Sequence, residues 1–210
     1  MIHRSLESIG REWFGLVVLQ QYLGSLGTVQ DVHRQSQDHD LIFTPPGGAP
    51  QTIDVKVDYY FGADDKSDFH RRRTGFAALE TVSNDVLGTL GWMVTSATDY
   101  IMYYFLALDN PPDQLRAWSA AGDAEAALHG LQAYDDCLLV LPTRALQAWF
   151  WEDKRYLGWR HCRIPNVDGD GRVYHTWVRL TPVEALVRLP GVRLYDRLVA
   201  ALHSRRLADP

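Results

Sequence analysis

The chain has 210 residues, with 21 lysines and arginines against 26 aspartates and glutamates, for a formal charge of −5. A hydrophobic fraction of 46% and a charged fraction of 22% exclude a disordered, collagen-like or coiled-coil chain. The length suits one core, so a single domain over 1–210 is expected, and the acidic balance excludes a protein that coats nucleic acid through bulk charge. It leaves room for a site with its own basic rim. Lysine occurs only at 56, 66 and 154, so each lysine is worth locating.

From Ser5 to Leu26 the apolar residues Leu6, Ile9, Trp13, Leu16, Val17, Leu19 and Leu23 follow helical spacing, with Ser5 to cap the helix and Gly27 to close it. Strand character follows at 28–35, at 40–44 and, with strict alternation around Ile53, Val55 and Val57, at 51–61. The Pro-Pro-Gly-Gly run at 45–48 makes the second and third of these a hairpin. Beyond a charged loop at 62–73, a fourth strand is expected at 74–83. The apolar run Tyr100–Leu108 is either a buried strand or a helix end, which periodicity does not decide. The Ala-rich region 117–130 reads as peripheral, and Cys137–Leu141 as a short strand.

Proline at 142 then opens a helix reaching Trp151. Trp177–Leu180 is a late strand, and Thr181 followed by Glu184 spells a capping box for a further helix. This order predicts an α/β (α+β) fold with a mixed sheet. Cys137 and Cys162 lack the spacing of a zinc site and are expected to be reduced thiols. With neither a secretory pattern nor a run long enough to span a bilayer, the cytoplasm is the expected location and no membrane partner is expected. There is no phosphate loop, nucleophile elbow or dinucleotide fingerprint, so kinase, hydrolase-elbow and Rossmann chemistries have nothing to rest on.

The chemistry concentrates on one strand. Asp54, Lys56 and Asp58 alternate, so in a strand all three project from one face, with neighbours about 7 Å apart. Two carboxylates flanking an amine suit a divalent cation and an oriented water. Asp40, one hairpin away, supplies a second carboxylate beside Asp54, and Glu80 offers another from what reads as the next strand on the other side.

An acid at a strand start followed about a dozen residues later by Asp54-Val55-Lys56 resembles the PD-(D/E)XK nuclease superfamily. Further similarity lies in Thr74-Gly75-Phe76, Leu79-Glu80, Gly91-Trp92 and Ala97-Thr98-Asp99-Tyr100, which look like segments of its small phage and prophage members. The likeness covers roughly residues 5–110, with a C-terminal α/β extension over about 135–205. Phe76 departs from the polar residue usual after Thr-Gly, and His39 stands where the leading proline would be.

The resemblance implies a restriction-endonuclease-like core with a mixed central β-sheet flanked by helices, and a nuclease using Mg²⁺ or Mn²⁺ on DNA, with RNA as the alternative substrate. It implies Asp40, Asp54 and Glu80 as metal-binding acids, Lys56 as the residue that positions the attacking water, and Asp58 and Glu12 as supporting acids. Many enzymes of that fold pair up, so a homodimer is a further expectation. The rival expectation is a catalytically inactive member of the fold that binds nucleic acid or serves assembly in a phage or mobile element.

Other motifs carry less. Arg71-Arg72-Arg73 forms the dense basic cluster, able to grip phosphates or simply to balance Asp64, Asp65 and Asp68. Asn166 to Gly171 resembles the start of a calcium loop, but Trp177 occupies the twelfth position, so a hairpin turn is expected. Trp149, Trp151 and Trp159 are expected in packing rather than on bases.

Overall fold

The computed structural model describes residues 6–32, 39–58, 75–152 and 159–206, with the side chains of 6–11 and 205–206 excepted. Arg71, Arg72 and Arg73 lie outside the described residues. A six-stranded mixed sheet forms the centre, in the order β1 (Thr28–Asp31), β2 (Leu41–Thr44), β3 (Gln51–Asp58), β6 (Tyr100–Leu108), β7 (Ala133–Pro142) and β10 (Arg193–Asp196). β3 pairs antiparallel with β2 and parallel with β6. A second, four-stranded antiparallel sheet runs β5 (Thr89–Leu90), β4 (Phe76–Asn84), β9 (Val173–Pro182) and β8 (His161–Val167).

The expected hairpin across 45–48 is present, and the ambiguous Tyr100–Leu108 run is a strand. Its uninterrupted apolar sequence follows from burial on both faces. Met102, Tyr104 and Leu106 face a core shared with α1 (Leu6–Gly24), α4 (Ala124–Gly130) and α7 (Leu198–Arg206), whereas Ile101, Tyr103 and Phe105 face the second sheet, α2 (Trp92–Thr95) and α5 (Thr143–Glu152). The same division applies to β3: Ile53, Val55 and Val57 join the α1 side, so Asp54, Lys56 and Asp58 face the second sheet.

Three expectations are corrected. The strand bearing Glu80, β4, is not β3's other neighbour; β6 holds that place, and β4 belongs to the overlying sheet. The Ala-rich region is not merely peripheral, because α3 (Pro112–Ala121) and α4 place Trp118 and Ala127 in or against the core beside α1. The capping box does not form: Thr181 is the buried penultimate residue of β9 with its hydroxyl turned to the Arg179 carbonyl, and the single-turn helix α6 (Val183–Leu186) has no side-chain cap.

The expected turn near 168 is the β8–β9 hairpin, where Asp168 Oδ1 accepts the N–H groups of Asp170 and Arg172, so that this carboxylate serves the turn rather than a calcium ion. Trp149 and Trp159 pack on one another and on the core around Phe150, while Trp151 is exposed. Both cysteines are free thiols. No helix among the described residues is long and apolar enough to cross a membrane.

Candidate functional site

Asp40 lies where β2 departs from β3. Its own N–H donates to the Ile53 carbonyl, and its Oδ2 accepts the Val55 N–H at 2.7 Å, taking the place of a main-chain carbonyl. That bond fixes the carboxyl beside Asp54, the next residue of β3 in register. Asp54 is buried, with only 8% of its surface exposed. Its Oδ1 meets Lys56 Nζ at 2.7 Å, two residues along the same face.

Burial pushes the Asp54 carboxyl up to about 6; the Lys56 ammonium opposes this, and the hydrogen bond and negative charge of Asp40 add to it.

Glu80 enters from the overlying sheet. Its carboxyl is also raised by burial, opposed by Lys56 and by hydrogen bonds from the Trp92 N–H and the Ser83 hydroxyl. Lys56 and Asp54 therefore interact with an acid from a different layer, so that Asp54 and Lys56 stand between Asp40 on one side and Glu80 on the other. Asp58 sits at the end of the same strand face, where its Oδ2 accepts the Tyr103 hydroxyl at 2.8 Å. Glu12 is exposed on α1, the helix that covers the opposite face of β3, and it is not among the leading influences on Asp54 or Glu80.

Three residues to which the sequence alone gives no role hold this arrangement. The Tyr103 hydroxyl accepts the Ala78 N–H at 2.8 Å while donating to Asp58, which ties β4 to β3 through β6. Trp92 presents its ring to Lys56, with Nζ 5.9 Å from the ring centroid, a cation–π contact at a partly exposed ammonium. Gly91 stands against the backbone of Glu80, where a Cβ would fall 2.5 Å from the Glu80 carbonyl oxygen. Gly91-Trp92 was legible as a motif; the roles of Gly91, Trp92 and Tyr103 follow from a contact between layers that no spacing along the chain announces.

The donors here are all carboxylate oxygens, the set preferred by Mg²⁺ or Mn²⁺. Among the described residues no three histidine, cysteine, aspartate or glutamate side chains are grouped closely enough to form a ready-made metal cage. A Mg²⁺ ion retains several waters and is commonly held by one or two carboxylates, so Asp40 and Asp54 fit such an ion without a closed cage. A second concavity, of about 410 Å³, lies on the α1 side between α4 and α7. It contains His129 and His203, each with a ring nitrogen bonded to a helix carbonyl, and no acid lines it.

No protein-family model, curated protein or solved structure matches this chain.

Proposed function

We propose that the chain is a metal-dependent nuclease of the PD-(D/E)XK kind, hydrolysing phosphodiester bonds in DNA. The observation that carries the reading is the clamped acid pair: Asp40 Oδ2 held by the Val55 N–H beside Asp54, with Lys56 2.7 Å from Asp54 Oδ1. Asp40 and Asp54 would hold the cation, with Glu80 as a further oxygen donor reached from the opposite layer. When bound, such an ion polarises the scissile phosphate and lowers the pKa of a water.

The chain's own residues do the rest. Asp54 must be ionised to act, and in the metal-free protein burial holds its carboxyl up to about 6. Lys56, kept in place by Asp54 and by the face of Trp92, orients the attacking water and offsets charge building on the phosphate. Tyr103 holds Asp58 and β4 so that Glu80 stays over the pair.

The test is cleavage of plasmid and single-stranded DNA in Mg²⁺ or Mn²⁺ by wild type and by Lys56→Ala. Metal-dependent cleavage lost in the variant is the expected result. No cleavage by either protein, or equal cleavage by both, overturns the assignment. The rival reading, an inactive nucleic-acid-binding or assembly component, draws support from the lack of a preformed three-acid group among the described residues. Calorimetric titration with Mn²⁺ separates the two: binding that disappears in Asp54→Asn supports the nuclease, and no binding at millimolar Mn²⁺ supports the rival.

A further inference from the structure

The β8–β9 hairpin carries charge of a different sign from the rest of the chain. Residues 159–182 contain four arginines, 160, 163, 172 and 179, and two aspartates, both at the turn, in a protein whose net charge is −5. The pairings His161 with Arg179, Arg163 with Trp177 and Pro165 with His175 put these six residues on one face of the hairpin. There the His161 and Trp177 rings lie 4.6 Å apart, and the Arg163 guanidinium lies 5.5 Å from the Trp177 ring centroid. His161 is exposed, as is 53% of the Arg163 side chain, so an imidazole and a guanidinium, braced by an indole, are offered to solvent.

Asp85, just beyond β4, fixes this array. It accepts from Arg163 Nη2 at 3.1 Å, Trp177 Nε1 at 3.3 Å and the His175 N–H at 2.8 Å. The adjoining β4–β5 turn is equally constrained: Asn84 Oδ1 accepts the N–H groups of both Val86 and Leu87, and the Asp85 N–H donates to the His175 carbonyl. On that rigid turn Val86 and Leu87 stand 70% and 76% exposed. A braced aliphatic pair beside a flat guanidinium and a flat imidazole has little to gain from water.

From this juxtaposition we infer that the β8–β9 face and the Val86–Leu87 turn form a docking surface for unpaired DNA. Phosphates suit Arg163 and Arg179, the two arginines on this face, by charge, and exposed base faces suit the guanidinium, imidazole and aliphatic tip; a duplex keeps those base faces stacked inside. Asp85 follows Glu80 by five positions, about 15 Å along the strand direction, so one strand could reach from the turn towards the acid pair. The choice of DNA rests on the proposed nuclease activity, whereas the surface itself does not.

The experiment is fluorescence anisotropy of labelled single-stranded DNA in EDTA, where a metal-dependent enzyme cannot cut, with matched duplex and RNA arms. Wild type should bind the single strand most tightly, and Arg163→Ala and Leu87→Asp should each weaken binding about tenfold. Leu87→Asp alters an exposed side chain, so it remains informative if Arg163→Ala loosens the hairpin. Arg116→Ala removes an equally exposed arginine from α3, which packs on α1 across the central sheet, and should leave binding unchanged.

No binding, an equal loss in Arg116→Ala, indifference to both surface variants, or tighter binding of duplex or RNA overturns the inference. Binding with the expected pattern but no cleavage in Mg²⁺ sinks the nuclease reading and leaves the surface standing. Cleavage with binding indifferent to both surface variants does the reverse.

Discussion

Asp54→Asn should make the metal-free protein more stable at alkaline pH while abolishing the proposed metal-dependent cleavage. The native state holds a proton on Asp54 up to about pH 6, whereas the unfolded chain releases it near the ordinary value of 3.8. Between those values each rise in pH favours the unfolded chain, and above pH 6 the native state carries the full cost of a buried, ionised Asp54. A displacement of about two units corresponds to about 3 kcal/mol, or about 2 kcal/mol once water reaching the partly exposed Lys56 is allowed for. Asparagine keeps the shape of the protonated acid and cannot ionise.

Urea unfolding of wild type and Asp54→Asn in EDTA, at pH 4 and pH 8, measures the difference. The variant should be about 2 kcal/mol more stable at pH 8, with the gap closing towards zero near pH 4. Groups titrating identically in both proteins cancel. A gap that is independent of pH, or a wild type more stable than the variant at pH 8, would refute the claim that burial of this carboxyl dominates its energetics.

Other perturbations test the supports. Gly91→Ala should cost about 1–3 kcal/mol and depress the proposed cleavage, because its φ of −80° suits alanine but the added Cβ falls on the Glu80 backbone; unchanged stability in urea would show that β4 yields freely. Tyr103→Phe removes the hydroxyl shared by Ala78 and Asp58 and should cost about 1–3 kcal/mol, with faster amide exchange at Ala78 as the specific signature. Tyr104→Phe leaves the buried Asp136 carboxyl without its 2.9 Å donor and should cost about 1–3 kcal/mol, measured by the same unfolding assay. Because the Tyr104 hydroxyl lowers the already raised Asp136 pKa, its loss should raise that pKa further and move the associated loss of stability with pH to higher pH.

What the sequence made legible was local in origin. The alternation of Asp54, Lys56 and Asp58 with Ile53, Val55 and Val57 is a property of any extended chain, and the Pro-Gly turn at 45–48 set the hairpin that delivers Asp40 to Asp54. The second sheet was hidden for the converse reason. β4 pairs with β9 across about a hundred residues, and a pairing partner that distant leaves no mark on the strand's own pattern. β8, with polar and apolar residues mixed by exposure on a sheet edge, was passed over, as were β10 and α7. Thr181 misled because its capping-box spacing is identical whether the threonine ends a strand or begins a helix; burial in β9 decided it.

The acid pair and the overlying sheet explain one another. Among the described residues Lys56 is a positive charge that bears on both Asp54 and Glu80, and both carboxyls are raised by burial despite it. A core optimised for stability alone would replace such a group with apolar residues, since buried charge is costly to desolvate even when it is paired. Here the costs are held in place by main-chain contacts: the Val55 N–H on Asp40, the Trp92 N–H on Glu80, and the Gly91 approach that lets α2 close over β4. Backbone groups cannot relax by changing rotamer, so the carboxyls stay where these contacts hold them. A divalent cation with its own water would relieve those costs at the least reorganisation, and the Asp54→Asn variant, stabilised without one, should lose the ability to gain stability from added Mn²⁺.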